Sequence, residues 1–321
     1  MNNNSQAPPI SLLYDELIAN FASKNGTGNN VILSLLKKGK PLSIRIDPSE
    51  TRLVTPKVDL KTGWIRLHQS HLSYIWCIIF SFISLLNFAG KRMSKGKTFI
   101  MMTDAPELRE TDALISWAIS LNREYSVWPS MLPSPANTSQ KCTLVNRIFI
   151  KTVLYMMYHE LAHLSNGHDQ YISLILKKEL DEDEKLILKQ LEVEADNFAF
   201  ECLADTADTE KIMLVNIFAA SIAHISNLYL ISNISELIQM RHPDIDTRIF
   251  NLMNKVQFEN KHYRSGLDLI YNIALSLFIN RLPTNYITED MKFESFEDIL
   301  SYLYSCLDKE KSNIIFRSKL N

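Results

Sequence analysis

The chain of 321 residues is poor in cysteine. Its four, Cys77, Cys142, Cys202 and Cys306, lie far apart and none has CxxC spacing, which argues against a zinc ribbon or a thioredoxin-type redox site. Sparse thiols fit a reducing cytosol, where cysteine serves as a small core residue. Charge of one sign is also missing. The formal net charge is −2, so nothing suggests non-specific or direct nucleic-acid binding. The segment Met1 to Ile10 has neither a basic stretch nor an apolar stretch, which excludes a secretory signal and leads us to expect a short disordered tail over 1–10. No internal repeat and no composition shift marks a second domain.

Apolar residues are plentiful, at 46% against 22% charged, enough for a sizeable core. Two runs approach the length of a membrane span. The first, LSYIWCIIFSFISLLNFA over 72–89, is diluted by three serines and Asn87; the second, 213–231, carries Asn216, His224 and Asn227. Buried core helices are the favoured reading, with membrane association as the alternative.

Short β-compatible runs, VILSLL, PLSIRID, TRLV and GWIRL, fall between about 30 and 67, broken by turn residues, and FIMMT at 99–103 is a further strand candidate. Helical patterns then dominate, near 71–89, 109–123, 143–166, 169–180, 183–205, 210–232, 245–256, 266–281 and 295–308. Gly167 sits where a helix should stop, and VWPSMLPSPANTS must be irregular. The expected fold is α+β: a single zincin-like domain over 11–321, mainly helical, with a small N-terminal β-sheet. Its β-rich part covers about 28–105 and its helical part about 106–321.

The chemistry is concentrated in His159-Glu160-Leu161-Ala162-His163, an HExxH pattern. Residues four apart share a helix face, so both imidazoles can meet one zinc ion, while Glu160 falls beside the attacking water as general base. The surrounding helix is mostly apolar, and buried polar groups there need a partner such as a divalent cation. For the third ligand the stronger candidate is Glu192, a carboxylate inside the apolar stripe of Leu188, Leu191, Ala195 and Phe198. Asp196, one turn on, is placed to accept a hydrogen bond from the outer nitrogen of a ligand histidine. Glu194 points elsewhere, towards solvent. A nearer alternative is Asp169, by analogy with HExxHxxGxxH, although Gly167 falls one position late for it; His168 reads as a polar residue just past the helix end. Downstream, in Arg241-His242-Pro243-Asp244, an imidazole at His242 and a guanidinium at Arg248 could stabilise an oxyanion. A simple turn in which Pro243 opens a helix explains the same residues.

Together YHELAHL, EVEADNFA and HPDIDTRIF resemble the Lit family of bacterial phage-exclusion peptidases. The likeness extends to SYIWCIIFSF and to the stretch around Trp117 and Trp128, roughly Leu72 to Leu252. A similar trio occurs in CAAX-prenyl-protease and heat-shock membrane metallopeptidases, which supports a gluzincin-like assignment. The resemblance to Lit implies a cytoplasmic zinc endopeptidase, activated by a phage-derived peptide, that cuts elongation factor Tu and aborts infection. By motif position it puts the zinc ligands on His159, His163 and Glu192 and the base on Glu160. Two other classes remain open: a membrane-associated quality-control or processing metallopeptidase, and a binding module with a purely structural zinc.

Overall fold

The computed structural model describes residues 7–23, 26–48, 53–93, 108–168, 179–231, 233–282 and 293–318, with 286, 287 and 291. Two short helices open it, α1 (Tyr14–Phe21) and α2 (Thr27–Lys37). A three-stranded sheet follows: β1 (Ser43–Asp47), β2 (Lys57–Asp59) and β3 (Trp64–His68), in the order β1-β3-β2. β1 runs parallel to β3, with Ile44 opposite Ile65, and β2 runs antiparallel, with Val58 opposite Ile65. β2 is therefore an edge strand.

The helices are α3 (Gln69–Met93), α4 (Arg109–Ser120), α5 (Gln140–Ser165), α6 (Glu182–Ala204), α7 (Glu210–Leu230), α8 (Ile245–Met253), α9 (Lys261–Ile279) and α10 (Phe296–Ser318). The protein is mainly helical α+β with a small N-terminal sheet, as the sequence suggests. Caps define the ends of the functional helices. The Ser139 side chain accepts from the Cys142 N–H at the start of α5, and Asp181 and Glu184 form a reciprocal capping box at the start of α6. Gly167, at φ +73, ends α5 in the left-handed region, where a missing Cβ removes the penalty.

α3 continues directly from β3 and is surrounded by α4, α5, α7 and α9. That position explains an apolar run with no consistent polar face: every residue from Leu72 to Phe80 is buried, Trp76 and Tyr74 completely. Each such large apolar side chain contributes roughly 1.5–3 kcal/mol. α3 and α7 are long and apolar enough to cross a membrane by length and composition. Even so, 78% and 72% of their most apolar windows are buried inside the protein.

Several local expectations are corrected. VILSLL belongs to α2, not to a strand; Gly39, at φ +69, stops that helix, with Lys40 N–H donating back to the Leu35 carbonyl. Leu53 and Val54 are not in a strand, and Thr51 and Arg52 lie outside the described residues. β2 and α1 were not anticipated. The expected tail over 1–10 is too long, since Pro9–Leu13 forms a 3-10 helix with Ile10 fully buried. α10 runs on to Ser318, well past the expected end. FIMMT and most of the helix expected near 169–180 lie outside the described residues.

Candidate metal centre

α5 packs along α6 and α7, and this packing brings the distant motifs together. His159 Nε2 and His163 Nε2 are 3.2 Å apart. Glu192 Oε2 lies 3.3 Å from His159 Nε2, and Glu192 Oε1 lies 3.5 Å from His163 Nε2. A tetrahedral ion with bonds of about 2.0–2.1 Å needs donors separated by about 3.3 Å along each edge. The last two separations run to different Glu192 oxygens; one ligand atom from each of the three residues, two imidazoles and a carboxylate, lies within 4.8 Å of the others, a set suited to holding one divalent ion. Among the described residues this cluster contains no cysteine, and all four cysteines are buried without a disulfide.

The outer shell is dense. His159 Nδ1 lies 2.9 Å from Asp196 Oδ1. Arg248 grips the same carboxylate with both edges of its guanidinium: Nε donates to Oδ2 at 2.8 Å and Nη2 to Oδ1 at 2.6 Å. The Tyr155 hydroxyl donates to Asp196 at 3.2 Å and also meets His224 Nε2 at 2.9 Å. Arg248, a candidate for the oxyanion, is thus committed behind His159, with Nη2 no nearer than 4.0 Å to Glu192. His242 is half-exposed in the cleft mouth, and its Nδ1 lies 3.0 Å from Glu192 Oε2.

The second imidazole has a separate support. The turn at Gly167 folds His168 back, so that its Nδ1 sits 2.8 Å from His163 Nδ1. Beyond it, His168 Nε2 is 3.7 Å from Glu194 Oε2. His168 is therefore a buried neighbour of the cluster, not a loose residue past the helix end. Glu194 remains half-exposed, in line with its solvent-facing assignment. Asp169, the competing third ligand, lies outside the described residues.

Glu160 faces the sheet. Its Oε2 accepts a hydrogen bond from the Val58 backbone N–H of edge strand β2 at 2.7 Å. Burial, assisted by the nearby Glu192 charge, raises its pKa to about 7, against the opposing pull of His159 and the Val58 N–H. Burial alone would keep His159 neutral, but the hydrogen bonds and charges of Asp196 and Glu192 overcome it and lift the ring to about 10. Burial and the His159 charge hold His163 down at about 3. Burial also opposes the Glu192 charge, yet its contacts with His159 and His242 hold it ionised, well below the usual range. A buried anionic site of this kind favours a cation in place of the His159 proton.

These groups line one cleft of about 580 Å³, with Pro56 and Val58 on one side and α7 and the His242 loop on the other. Residues 65–268 match the family model described as Peptidase U49. The chain belongs to the Peptidase U49 family. It is accordingly a peptidase, and the matched segment holds all of the candidate metal cluster while leaving β1 and β2 outside. No curated protein and no solved structure matches the chain.

In this U49 peptidase the His242 loop is braced from afar. Lys311 of α10 donates to both Asp246 oxygens, at 2.6 and 2.7 Å, and lies 2.9 Å from Asp244 Oδ2. The other Asp244 oxygen accepts from the Gln239 N–H at 2.9 Å. Tyr155, His168 and His224 were not singled out from the sequence as site residues. The available signal was the same one that marked His159: a polar side chain breaking an apolar helical stripe, at Tyr155 one turn before His159 and at His224 within α7.

Proposed function

We propose that this U49 peptidase is a zinc-dependent endopeptidase of the Lit type. The single observation supporting the metal is the convergence of one ligand atom each from His159, His163 and Glu192, all within 4.8 Å of one another. His159, His163 and Glu192 hold the ion, which when bound supplies Lewis acidity that activates water and polarises the scissile carbonyl. Glu160 Oε takes the proton from the attacking water and passes it to the leaving amine; a carboxyl poised near 7 suits both roles. His242, anchored through Nδ1 to Glu192, presents its other nitrogen to the cleft and donates to the developing oxyanion. Asp196 fixes the tautomer of His159, and Arg248 fixes Asp196. A closed structural zinc site would require a fourth protein ligand. Among the described residues the cluster has three and opens onto a cleft, which favours catalysis.

From the motif likeness to the Lit family we further propose a cytoplasmic enzyme of phage exclusion that cuts elongation factor Tu when a phage-derived peptide activates it; the family match itself supports a peptidase. The test incubates the purified, zinc-loaded protein with host lysate, with and without phage peptides, and identifies new termini by mass spectrometry. Cleavage of elongation factor Tu only with peptide is the expected result; cleavage of other proteins alone refutes the substrate. Glu160→Gln should keep its zinc and lose about 10²–10⁴-fold in rate. An unchanged rate removes Glu160 from the proton transfer.

A further inference from the structure

Each candidate ligand imidazole has two nitrogens, and only one can face the ion. His159 and His163 both present Nε2 to the cluster, where these atoms are 3.2 Å apart. The outer nitrogen of His159 meets the Asp196 carboxylate, a common support for a metal-binding histidine. The outer nitrogen of His163 is served differently. Among the described residues its partner is the ring of His168, Nδ1 to Nδ1 at 2.8 Å. The two rings stand at 68° to one another, so they meet through their nitrogens and not by stacking. His168 is 3% exposed, and the left-handed turn at Gly167 puts it there, just past the end of α5.

Two nitrogens at 2.8 Å share one proton. Two protons would collide between them, and none would set two lone pairs against each other. A neutral imidazole has one N–H and one acceptor nitrogen. When His163 Nε2 gives its lone pair to an ion, the ring proton must sit on Nδ1. His168 Nδ1 is then the acceptor, and the proton of His168 must sit on its own Nε2. That nitrogen is buried and has no hydrogen-bond partner among the described residues. The Glu194 carboxylate, 3.7 Å away, is too far for a hydrogen bond, but its negative charge favours an N–H there over a bare lone pair.

We propose that His168 is a positioning residue for the metal centre: it accepts the Nδ1 proton of His163, orients that ring and keeps its Nε2 free for the ion. This rests on reading His159, His163 and Glu192 as metal ligands. The two imidazoles are then supported in different ways. His159 leans on an anion already paired with Arg248, whereas His163 leans on a neutral ring that adds no charge to a buried site. An apolar side chain at 168 would fill the space and leave the His163 Nδ1–H unanswered. His163 escapes that cost by moving its proton to Nε2, where it obstructs the metal.

The test uses the full-length protein, labelled with nitrogen-15 in its histidines and loaded with zinc. Its NMR spectrum should show a scalar coupling across the hydrogen bond, between Nδ1 of His163 and Nδ1 of His168, and the coupling should vanish in His168→Asn. Zinc affinity is read separately by chelator competition. His168→Leu should lower it about 10–100-fold. His168→Asn, whose side-chain oxygen can replace Nδ1 as the acceptor, should recover most of the loss. Native zinc affinity in His168→Leu overturns the proposal. Equal losses in the two variants do the same, because they mark a packing role. Should His168→Leu fail to fold, the coupling in the native protein decides alone. Bound zinc without that coupling overturns this proposal only, whereas a native protein that takes up no zinc overturns the metal reading with it.

Discussion

At the scale of single residues, Asp196 is the point where α5, α6 and α8 are tied together. Its carboxylate meets His159, Tyr155 and both edges of Arg248, and these positive and donor groups outweigh its burial and hold it ionised. Arg248→Met strips that carboxylate of its counter-ion in a buried setting. Stability should fall by about 3 kcal/mol in urea unfolding, and zinc affinity by about 10–100-fold in chelator competition. Unaltered zinc affinity would show that His159 needs no such support. His71 gives a pH signature of a different kind. Its folded pKa, lowered by burial to about 3, lies below the ordinary value of 6.5, so between those limits the unfolded chain binds the extra proton. Stability is therefore full above about pH 6.5 and is lost as pH falls towards 3. Between pH 7.5 and 5 the loss is about 2 kcal/mol, and urea unfolding should show it missing from His71→Leu. The ligand candidates were legible in the sequence because carboxylates and imidazoles inside apolar stripes require a reason. His168 was not, because its role depends on a left-handed turn that reverses the chain. Arg248 was placed near the site, but its bond to Asp196 was not foreseen, since only packing decides which group a guanidinium reaches.

At the scale of elements, the small sheet is more than a cap on the helices. Its outer strand, β2, gives the Val58 N–H to Glu160, away from the ladder with β3. Val58→Pro removes that donor without breaking a β2–β3 bond, and an edge strand tolerates proline at such a position. Loss of a hydrogen bond to a charged group is worth about 1.5–3 kcal/mol, so cleavage should slow roughly tenfold or more while circular dichroism stays unchanged; native activity would leave β2 without a part in holding the base. Long helices with clear caps were readable, α6 and α7 nearly to the residue. β2 escaped notice because three residues give too short an alternation to register. α2 was misread because Val31 and Ile32 favour strands in isolation, whereas the glycine at 39 signals a helix end only once its backbone angle is known.

At the scale of the whole molecule, the two most hydrophobic helices are spent on the interior. α3 is enclosed by α4, α5, α7 and α9, and α7 buries Ile217, Ile222 and Ile225 completely. The protein should therefore stay in the supernatant after lysis without detergent and should not float with lipid vesicles; recovery in the vesicle fraction would overturn this and revive the membrane-associated reading. The charge linkage from Lys311 has a consequence for anyone who trims the chain. The family-matched segment ends at Asp268 and contains every candidate zinc ligand, yet the lysine that pins Asp244 and Asp246 lies in the last helix. α10 also gives Leu303 and Leu307 to the core, so trimming it removes packing together with the tether. Lys311→Met isolates the tether: it should leave zinc content intact and slow the chemical step by freeing the segment that bears His242.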